Sequence, residues 1–120
     1  MNKSPEICII GPGAIGGAVA AVLTRAGYGI KLVAKYPDLA VKISQQGIEV
    51  KGHSGSFTVA VPAVALPSEL KGTFDYVLIA TKAEALVGAA REILPFLHGN
   101  SRVVSMQNGI CEEMLAGVVG

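Results

Sequence analysis

Several residue types that mark specialised protein classes are rare or absent in this sequence. Its 120 residues include no Trp, three Tyr and three Phe, too few aromatic side chains for a surface that stacks nucleic-acid bases. The formal net charge is only +1, so a broad basic surface for nucleic acid is not expected. Charged residues make up 16% and hydrophobic residues 51% of the chain, which excludes intrinsic disorder. We therefore expect one folded domain without a nucleic-acid partner.

Cysteine and histidine are equally scarce. The two cysteines, Cys8 and Cys111, exclude a disulfide-rich secreted scaffold, and their wide separation predicts two free thiols in a reducing compartment. The two histidines, His53 and His98, lie in polar segments, where we expect solvated loops. These four residues do not have the spacing of zinc ligands, so no metal site is predicted.

A long unbroken hydrophobic segment is also missing. The stretch from Ile7 to Leu23 contains no charged residue and resembles a signal peptide at first sight. Five residues interrupt its middle, namely Gly11, Pro12, Gly13, Gly16 and Gly17. A membrane span needs about 20 mostly apolar residues, and a signal peptide needs an uninterrupted apolar centre. We therefore expect a soluble, cytoplasmic protein that does not associate with a membrane.

Glycine, by contrast, is abundant, and its positions near the start of the chain form a motif. The chain has 15 glycines, and residues 11–16, Gly-Pro-Gly-Ala-Ile-Gly, match the pattern GxGxxG. The apolar run Glu6–Ile10 predicts a buried strand before the motif, and a helix is predicted after it at Ala14–Ala26. That helix has apolar residues on helical spacing at Ile15, Val19, Val22 and Leu23. A GxGxxG loop between a strand and a helix is typical of dinucleotide binding.

Each glycine of the motif has a physical reason in this interpretation. Gly11 permits the tight turn out of the strand, Gly13 lets the backbone approach a pyrophosphate, and Gly16 lets helix and strand pack closely. The free N–H groups and the positive end of the helix would then face the phosphates. The predicted cofactor-binding residues of the loop are Gly11, Pro12, Gly13, Ala14, Ile15 and Gly16. The alternative is a tight strand–helix turn that binds nothing.

The rest of the chain predicts further strands and helices in alternation. The predicted elements are a strand at Ile30–Ala34, a helix from Pro37 or Asp38 to Gly47, a hairpin of Ile48–Lys51 and Phe57–Val61, a short strand at Ala63–Ala65, a strand at Phe74–Ala80, a helix at Ala83–Leu94, a strand at Arg102–Met106 and a helix from Cys111 to Ala116. In the helix at Ala83–Leu94, the residues expected to face inward are Leu86, Val87, Ala90, Ile93 and Leu94.

This alternation predicts an α/β fold of the Rossmann type, with a doubly wound, mainly parallel sheet and helices on both faces. A helix after the strand at Arg102–Met106 would normally lead to another strand, and none follows. We therefore expect the chain to be a piece of a longer protein. The unfinished sheet would leave an exposed edge that favours pairing between two copies, so a homodimer is one alternative.

The end of the second predicted strand bears on the choice of dinucleotide. An NAD site usually has Asp or Glu there, about 20 residues past the loop, to hold the ribose hydroxyls. The chain instead has Val-Ala-Lys-Tyr-Pro at residues 33–37, and its next acid is Asp38. The ammonium of Lys35 would attract a 2′-phosphate, which a carboxylate would repel. We therefore predict that Lys35 binds the 2′-phosphate of NADP(H), the alternative being an exposed loop lysine.

Polar residues also follow two later strands. In open α/β sheets, ligands bind outside the carboxyl ends of the strands. Thr81 and Lys82 follow one predicted strand, and Asn108 lies in an Asn-Gly turn after another. Lys82 would place an ammonium near an anionic substrate or the cofactor ribose, and the amide of Asn108 offers both a donor and an acceptor. The alternatives, a lysine extended along the surface and a purely structural turn, stay open.

Taken together, these segments resemble the N-terminal domain of the ketopantoate reductase (2-dehydropantoate 2-reductase) family. The resemblance rests on residues 11–17, on Lys35, on residues 76–82 (Tyr-Val-Leu-Ile-Ala-Thr-Lys) and on residues 107–109 (Gln-Asn-Gly). It implies NADPH-dependent reduction of a 2-keto acid, 2-dehydropantoate to pantoate, in pantothenate and coenzyme A synthesis. It also implies that Lys35 holds the 2′-phosphate, and that Lys82 and Asn108 lie in the active-site cleft and position cofactor and substrate.

The resemblance further implies that residues 1–120 are a dinucleotide-binding domain. In the family, a second, helical domain supplies the lysine that donates the proton and further substrate-binding residues, so we expect these 120 residues alone to be inactive. Two other functions remain as alternatives. One is a related dehydrogenase of another keto or hydroxy acid, of the opine or glycerol-phosphate type. The other is a non-catalytic nucleotide-sensing module, as in regulatory domains of ion transporters.

Overall fold

The computed structural model describes residues 5–11, 13–52, 55–81 and 83–106, with the backbone alone at residues 14, 15 and 83–86. The strands of this part are β1 (Glu6–Ile10), β2 (Gly29–Val33), β3 (Ile48–Gly52), β4 (Gly55–Val59), β5 (Ala63–Val64), β6 (Phe74–Ile79) and β7 (Leu97–Ser105). The helices are α1 (Ala14–Arg25), α2 (Pro37–Gln46) and α3 (Ala83–Ile93). Single turns of 3₁₀ helix lie at Pro67–Glu69 and Leu94–Phe96. The helix predicted at Cys111–Ala116 lies outside the described residues.

Five of the strands form one parallel sheet in the order β5-β2-β1-β6-β7. β1 lies at its centre and pairs with β2 on one side, from Glu6 opposite Gly29, and with β6 on the other, from Ile7 opposite Tyr76. The chain winds outwards from β1 to β2 and β5, and then returns to place β6 and β7 on the other side. This order confirms the predicted Rossmann-type fold. The reversal falls between β1 and β6, where such sheets form a crevice at the carboxyl ends of their strands.

The core lies on both faces of this sheet, which explains why β1 is apolar throughout after Glu6. Cys8 and Ile10 belong to a buried cluster that also includes Ala90 and Ile93 of α3. Ile7 and Ile9 point to the opposite face, because successive side chains of a strand alternate. The cluster on that second face includes residues of α1 and α2, namely Ala20, Ala40 and Ile43.

β3 and β4 form a separate two-stranded antiparallel sheet, with Ile48 opposite Val59 and Gly52 opposite Gly55. The predicted hairpin is therefore confirmed, although β4 begins and ends two residues earlier than expected. Ile48 and Val59 both pack against the cluster that contains Ala20 of α1. The hairpin thus extends the core beyond the edge of the main sheet.

Two expectations about packing are wrong. Val22 lies on the predicted apolar spacing of α1 but is 49% exposed, because α1 packs through the small residues Gly16, Ala20 and Ala21. Leu94 was expected to face inward from α3, but it is 42% exposed because the α-helix ends at Ile93. In both places the backbone geometry, rather than the size of the apolar side chain, decides which residues are buried.

A third difference concerns the start of β7. This strand begins at Leu97, five residues before the predicted Arg102, and Phe74 at the start of β6 pairs with Leu97. A register irregularity between Phe74 and Tyr76 accommodates the polar segment that precedes Arg102.

The described part of the chain contains no helix long and apolar enough to cross a membrane.

Candidate functional site

Gly11 joins the ends of three strands at the carboxyl edge of the sheet. Its N–H donates to the carbonyl of Val33 at the end of β2, at 3.0 Å. Its φ of +142° lies in a region that favours glycine. A Cβ atom at this position would lie 2.9 Å from the carbonyl carbon and oxygen of Ala80, just past β6. Only glycine fits here, as the sequence predicts for a tight turn out of β1.

Gly13 and Gly16 differ from Gly11 in what surrounds them. Gly13 precedes α1 in an extended conformation, and apart from its chain neighbours no heavy atom lies within 4 Å of the position that a Cβ would occupy there. A Cβ at Gly16 would lie 3.2 Å from the Cβ of Ala80, so α1 approaches the sheet closely there. The space beside Gly13 is therefore open, whereas the space beside Gly16 is filled by protein.

The first turn of α1 carries the other predicted loop residues. The backbone of Ala14 and Ile15 forms this turn, and Pro12 lies outside the described residues. No side chain caps the helix at Gly13. The first N–H groups of a helix need partners from outside it and carry a partial positive charge. The open space beside Gly13 and the uncapped helix start together fit an anionic ligand such as a pyrophosphate.

Lys35 lies at the end of β2 in an unusual backbone conformation. Its φ is +72°, and among the described residues Lys35 is the only non-glycine residue with a positive φ. Its side chain is exposed, with Nζ 5.4 Å from the ring centroid of Tyr36. The ion pairs found in the described residues, Lys51 with Glu49 and His98 with Asp75, do not involve Lys35. Its ammonium is thus available to an external anion. Lysine rarely adopts this conformation, so the sequence gives no signal for it.

One cleft brings Gly11, Lys35 and Thr81 together. It has a volume of about 360 Å³ and opens at the carboxyl ends of β1, β2 and β6. Most of its remaining lining is apolar or small, namely Ile10, Val33, Ala65, Leu66, Pro67, Gly88 and Ala89. Glu92 of α3 adds a carboxylate to the same cleft. Sequence reasoning missed Glu92 as a cleft residue, because its position depends on how α3 and the turn at Pro67–Glu69 pack.

The sequence places Thr81 among the polar residues at a strand end, and the structure shows that its hydroxyl is unusual. Its Oγ1 is buried and has no hydrogen-bond partner among the described residues. Buried polar groups without partners are uncommon and costly, so each needs an explanation. A local sequence signal does not exist, because burial of Oγ1 arises from tertiary packing.

The positions of Lys82 and Asn108 lie outside the described residues. Their neighbours nevertheless mark where the chain leaves the sheet. Ala80 donates its N–H to the carbonyl of Ile10 at 2.7 Å, and Met106 donates to the carbonyl of Ile79 at 2.9 Å. The backbone preceding each predicted residue therefore ends at the same edge as Gly11. Their predicted roles stay predictions.

Cys8 does not contribute reactive chemistry to this edge. It is buried completely in the middle of β1. Burial raises the pKa of the Cys8 thiol to about 12, although the nearby charge of Lys31 acts in the opposite direction. The thiolate, which is the nucleophilic form, is therefore strongly disfavoured.

His98 is exposed, as expected, but it lies in β7 rather than in a loop and is part of a hydrogen-bond network at the opposite edge of the sheet. Its Nε2 lies 2.8 Å from Oδ1 of Asp75, and its Nδ1 accepts the N–H of Asn100 at 3.0 Å. Because Nδ1 accepts, the proton is on Nε2, which donates to Asp75. The other oxygen of Asp75 accepts the N–H of Glu6 at 2.8 Å. His53, the other histidine, lies outside the described residues.

Ser101 lies close to this pair without forming a nucleophilic triad. Its Oγ donates to the carbonyl of Phe74 at 2.6 Å and accepts the N–H of His98 at 2.9 Å. The hydroxyl is therefore not bonded to the imidazole, which would have to accept its proton in such a mechanism. The network ties together the amino ends of β1, β6 and β7.

Comparisons with known proteins agree with the resemblance read from the sequence. The family model described as ketopantoate reductase PanE/ApbA matches residues 7–117. Over 116 residues, the chain is 38% identical to 2-dehydropantoate 2-reductase of Mesorhizobium japonicum, covering 96% of this chain and 35% of that one. It is 29% identical over 108 residues to glycerol-3-phosphate dehydrogenase (NAD(P)+) of Moorella thermoacetica, covering 88% of this chain and 32% of that one.

A solved structure gives the same result. The PanE/ApbA family ketopantoate reductase from Ralstonia eutropha has a TM-score of 0.79 and 30% identity, over 95% of this chain and 38% of that chain. The chain spans about a third of the length of the curated relatives that it matches. From the family match and the identities over nearly the whole chain, the predicted relationship is confirmed: the chain belongs to the ketopantoate reductase family.

Proposed function

We propose that these residues form the NADP(H)-binding part of an oxidoreductase that reduces a 2-keto acid, with 2-dehydropantoate as substrate and pantoate as product. The observation that carries this proposal is the cleft that Gly11 and Lys35 line together. The exposed Lys35 lies just past the end of β2 and forms no ion pair among the described residues. The family and the name of the Mesorhizobium relative support the substrate. Pantothenate and coenzyme A synthesis is the corresponding metabolic setting.

The glycine loop accounts for binding of the pyrophosphate. The open space beside Gly13 admits a phosphate to the backbone, and the uncapped start of α1 supplies N–H groups and positive potential. When bound, the nicotinamide supplies the hydride, and the protein supplies orientation and electrostatic stabilisation. In this proposal the cofactor-binding loop is formed by Gly11, Pro12, Gly13, Ala14, Ile15 and Gly16. Gly13 and the first turn of α1 face the phosphates, while Gly11 and Gly16 allow the close packing that shapes the loop.

Lys35 accounts for the choice of NADP(H). It replaces the carboxylate that usually holds the ribose hydroxyls of NAD at this position. A 2′-phosphate carries between one and two negative charges near pH 7, and each is attracted by about 1 kcal/mol to an ammonium 4 Å away in bulk water. Since Lys35 is exposed, we expect a preference for NADPH over NADH of about 5- to 30-fold rather than an absolute selection.

Lys82 and Asn108 complete the proposed site. We propose that the ammonium of Lys82 lies beside the substrate carboxylate or the cofactor ribose, and that the amide of Asn108 fixes their relative orientation. The proton that the keto oxygen receives would come from a lysine beyond residue 120. The 120 residues alone are then a dinucleotide-binding domain without turnover.

The similarity to glycerol-3-phosphate dehydrogenase supports a second candidate, a dehydrogenase of a related hydroxy acid or alcohol. The full natural chain should be assayed for NADPH oxidation with 2-dehydropantoate and, separately, with dihydroxyacetone phosphate. We expect turnover with 2-dehydropantoate. Turnover with dihydroxyacetone phosphate alone would establish the second candidate, and nucleotide binding without turnover of any keto compound would favour a sensing module.

The cofactor proposal has its own test in Lys35→Glu. This variant should lose most of its preference for NADPH over NADH, measured as the ratio of the two dissociation constants. An unchanged ratio would show that Lys35 does not select the cofactor. A homodimer formed through an exposed sheet edge stays a prediction, which sedimentation of the 120-residue chain would check.

A further inference from the structure

Two threonine hydroxyls in the described residues are buried and lack a hydrogen-bond partner, those of Thr24 and Thr81. A buried hydroxyl that donates to nothing destabilises a fold, because it gives up hydrogen bonds to water without replacement. Such a cost is expected where the group serves a ligand. The two threonines differ in their surroundings, and that difference makes one of them informative.

Thr81 directly follows Ala80, the residue whose carbonyl lies against Gly11. It also lines the cleft that contains Gly11 and Lys35. Apart from the charged residues Lys35 and Glu92, Thr81 is the cleft residue with a polar side chain, and the rest of the lining is apolar or glycine. Thr81 therefore places a neutral hydroxyl beside this cleft, and because Oγ1 is buried, a ligand in the cleft reaches it only when the side chain turns toward it.

Thr24 lies in the last turn of α1, more than two helical turns from the glycine loop, and it does not line this cleft. Its buried hydroxyl is equally unpartnered. Both hydroxyls are thus buried without a partner, but only Thr81 of the two lies beside the glycine loop. Thr24 provides a matched control for effects that arise from burial alone.

We propose that Oγ1 of Thr81 donates a hydrogen bond to an oxygen of the bound dinucleotide, either of a ribose or of a phosphate. The inference rests on the proposed function, because it takes the cleft to be the nucleotide site. The ligand class follows from the chemistry: a nucleotide presents oxygen acceptors along its ribose and phosphate groups. The hydroxyl has no partner among the described residues and would gain one on binding, so we expect Thr81 to contribute to affinity rather than to stability.

The test compares Thr81→Val, Thr81→Ser and Thr24→Val in the full natural chain. The dissociation constant for NADPH is measured by calorimetry, and the melting temperature is measured without nucleotide. Valine keeps the shape of threonine and removes the hydroxyl. Thr81→Val should bind NADPH about 5- to 10-fold more weakly without a lower melting temperature, because loss of a buried unpaired hydroxyl does not harm the fold. Thr81→Ser should stay within about twofold of the wild type, and Thr24→Val should be unchanged.

Several results would overturn the inference. Equal NADPH affinity of the wild type and Thr81→Val would show that the hydroxyl does not touch the nucleotide. An equal loss in Thr24→Val and Thr81→Val would show a general effect of the fold. Should Thr81→Val fail to fold, Thr81→Ala and Thr81→Ser are compared with the wild type instead. Weaker NADPH binding by Thr81→Ala but not by Thr81→Ser supports the contact, and wild-type affinity in both variants excludes it.

Two further measurements show which part of the nucleotide accepts the hydrogen bond and whether the proposed function itself holds. With adenosine 2′-monophosphate as the probe, a loss in Thr81→Val places the contact on the adenosine half. A loss that is seen with NADPH alone places it on the pyrophosphate or the other ribose. A wild-type chain that binds neither probe overturns the proposed function itself, and the Thr81 contact with it.

Discussion

The carbonyl oxygen of Ala80 lies 2.9 Å from the position that a Cβ atom would occupy at Gly11. The contact is with backbone, which cannot move aside without disturbing β6. The φ of Gly11, +142°, adds a conformation that side-chain-bearing residues avoid. We therefore expect Gly11→Ala to lower the free energy of unfolding by about 2–4 kcal/mol, measured by urea denaturation. A loss below about 1 kcal/mol would contradict this packing.

Gly13→Ala is the counterpart to that variant. A Cβ at Gly13 meets no heavy atom within 4 Å, and φ is an ordinary −79°. The fold should keep its stability to within about 1 kcal/mol, the usual difference between glycine and alanine at a helix cap. If the backbone of Gly13 approaches a pyrophosphate, the added methyl group should weaken NADPH binding at least tenfold. Wild-type affinity in Gly13→Ala would place the phosphates elsewhere.

The glycine loop could be predicted from the sequence because its requirements are local and steric. The conformation of Lys35 could not, since nothing in the neighbouring residues requires a lysine with positive φ. That Glu92 and Thr81 line one cleft depends on how α3 packs against the sheet, which periodicity does not determine. The early start of β7 was hidden by Gly99 and Asn100, which are typical of loops.

The backbone at Lys35 allows its charge to be tested apart from its conformation. Asparagine tolerates a positive φ, whereas a β-branched residue does not. Lys35→Asn should therefore keep wild-type stability, and Lys35→Val should lose about 1–2 kcal/mol. Both variants lack the ammonium, so both should lose most of the preference for NADPH over NADH. Denaturation and nucleotide titration of the two proteins check the two effects separately, and a preference retained in either variant would remove Lys35 as the selector.

His98 and Asp75 provide a prediction about stability alone. Their hydrogen bond joins the amino ends of β6 and β7, and both side chains are partly exposed, at 34% and 44%. We expect a coupling energy of about 0.5–1 kcal/mol from a double-mutant cycle of His98→Ala and Asp75→Ala. The affinity for NADPH should not change in His98→Ala, because the network lies at the opposite edge from the cleft. Additive effects of the two substitutions would show that the pair contributes nothing.

The buried thiol of Cys8 predicts how stability depends on alkaline pH. Burial raises its pKa from 9.0 to about 12 in the folded chain, so the thiol stays protonated there while the unfolded chain ionises. The free energy of unfolding is therefore unaffected by this thiol below pH 9. It falls as pH rises from 9 toward 12, at roughly 1 kcal/mol per pH unit. Cys8→Ala leaves a small cavity but lacks this titration. The difference in unfolding free energy between the wild type and Cys8→Ala should therefore be constant from pH 7 to 8.5 and shift against the wild type from pH 9 to 11. Parallel curves over the whole range would show that the thiol ionises equally in both states.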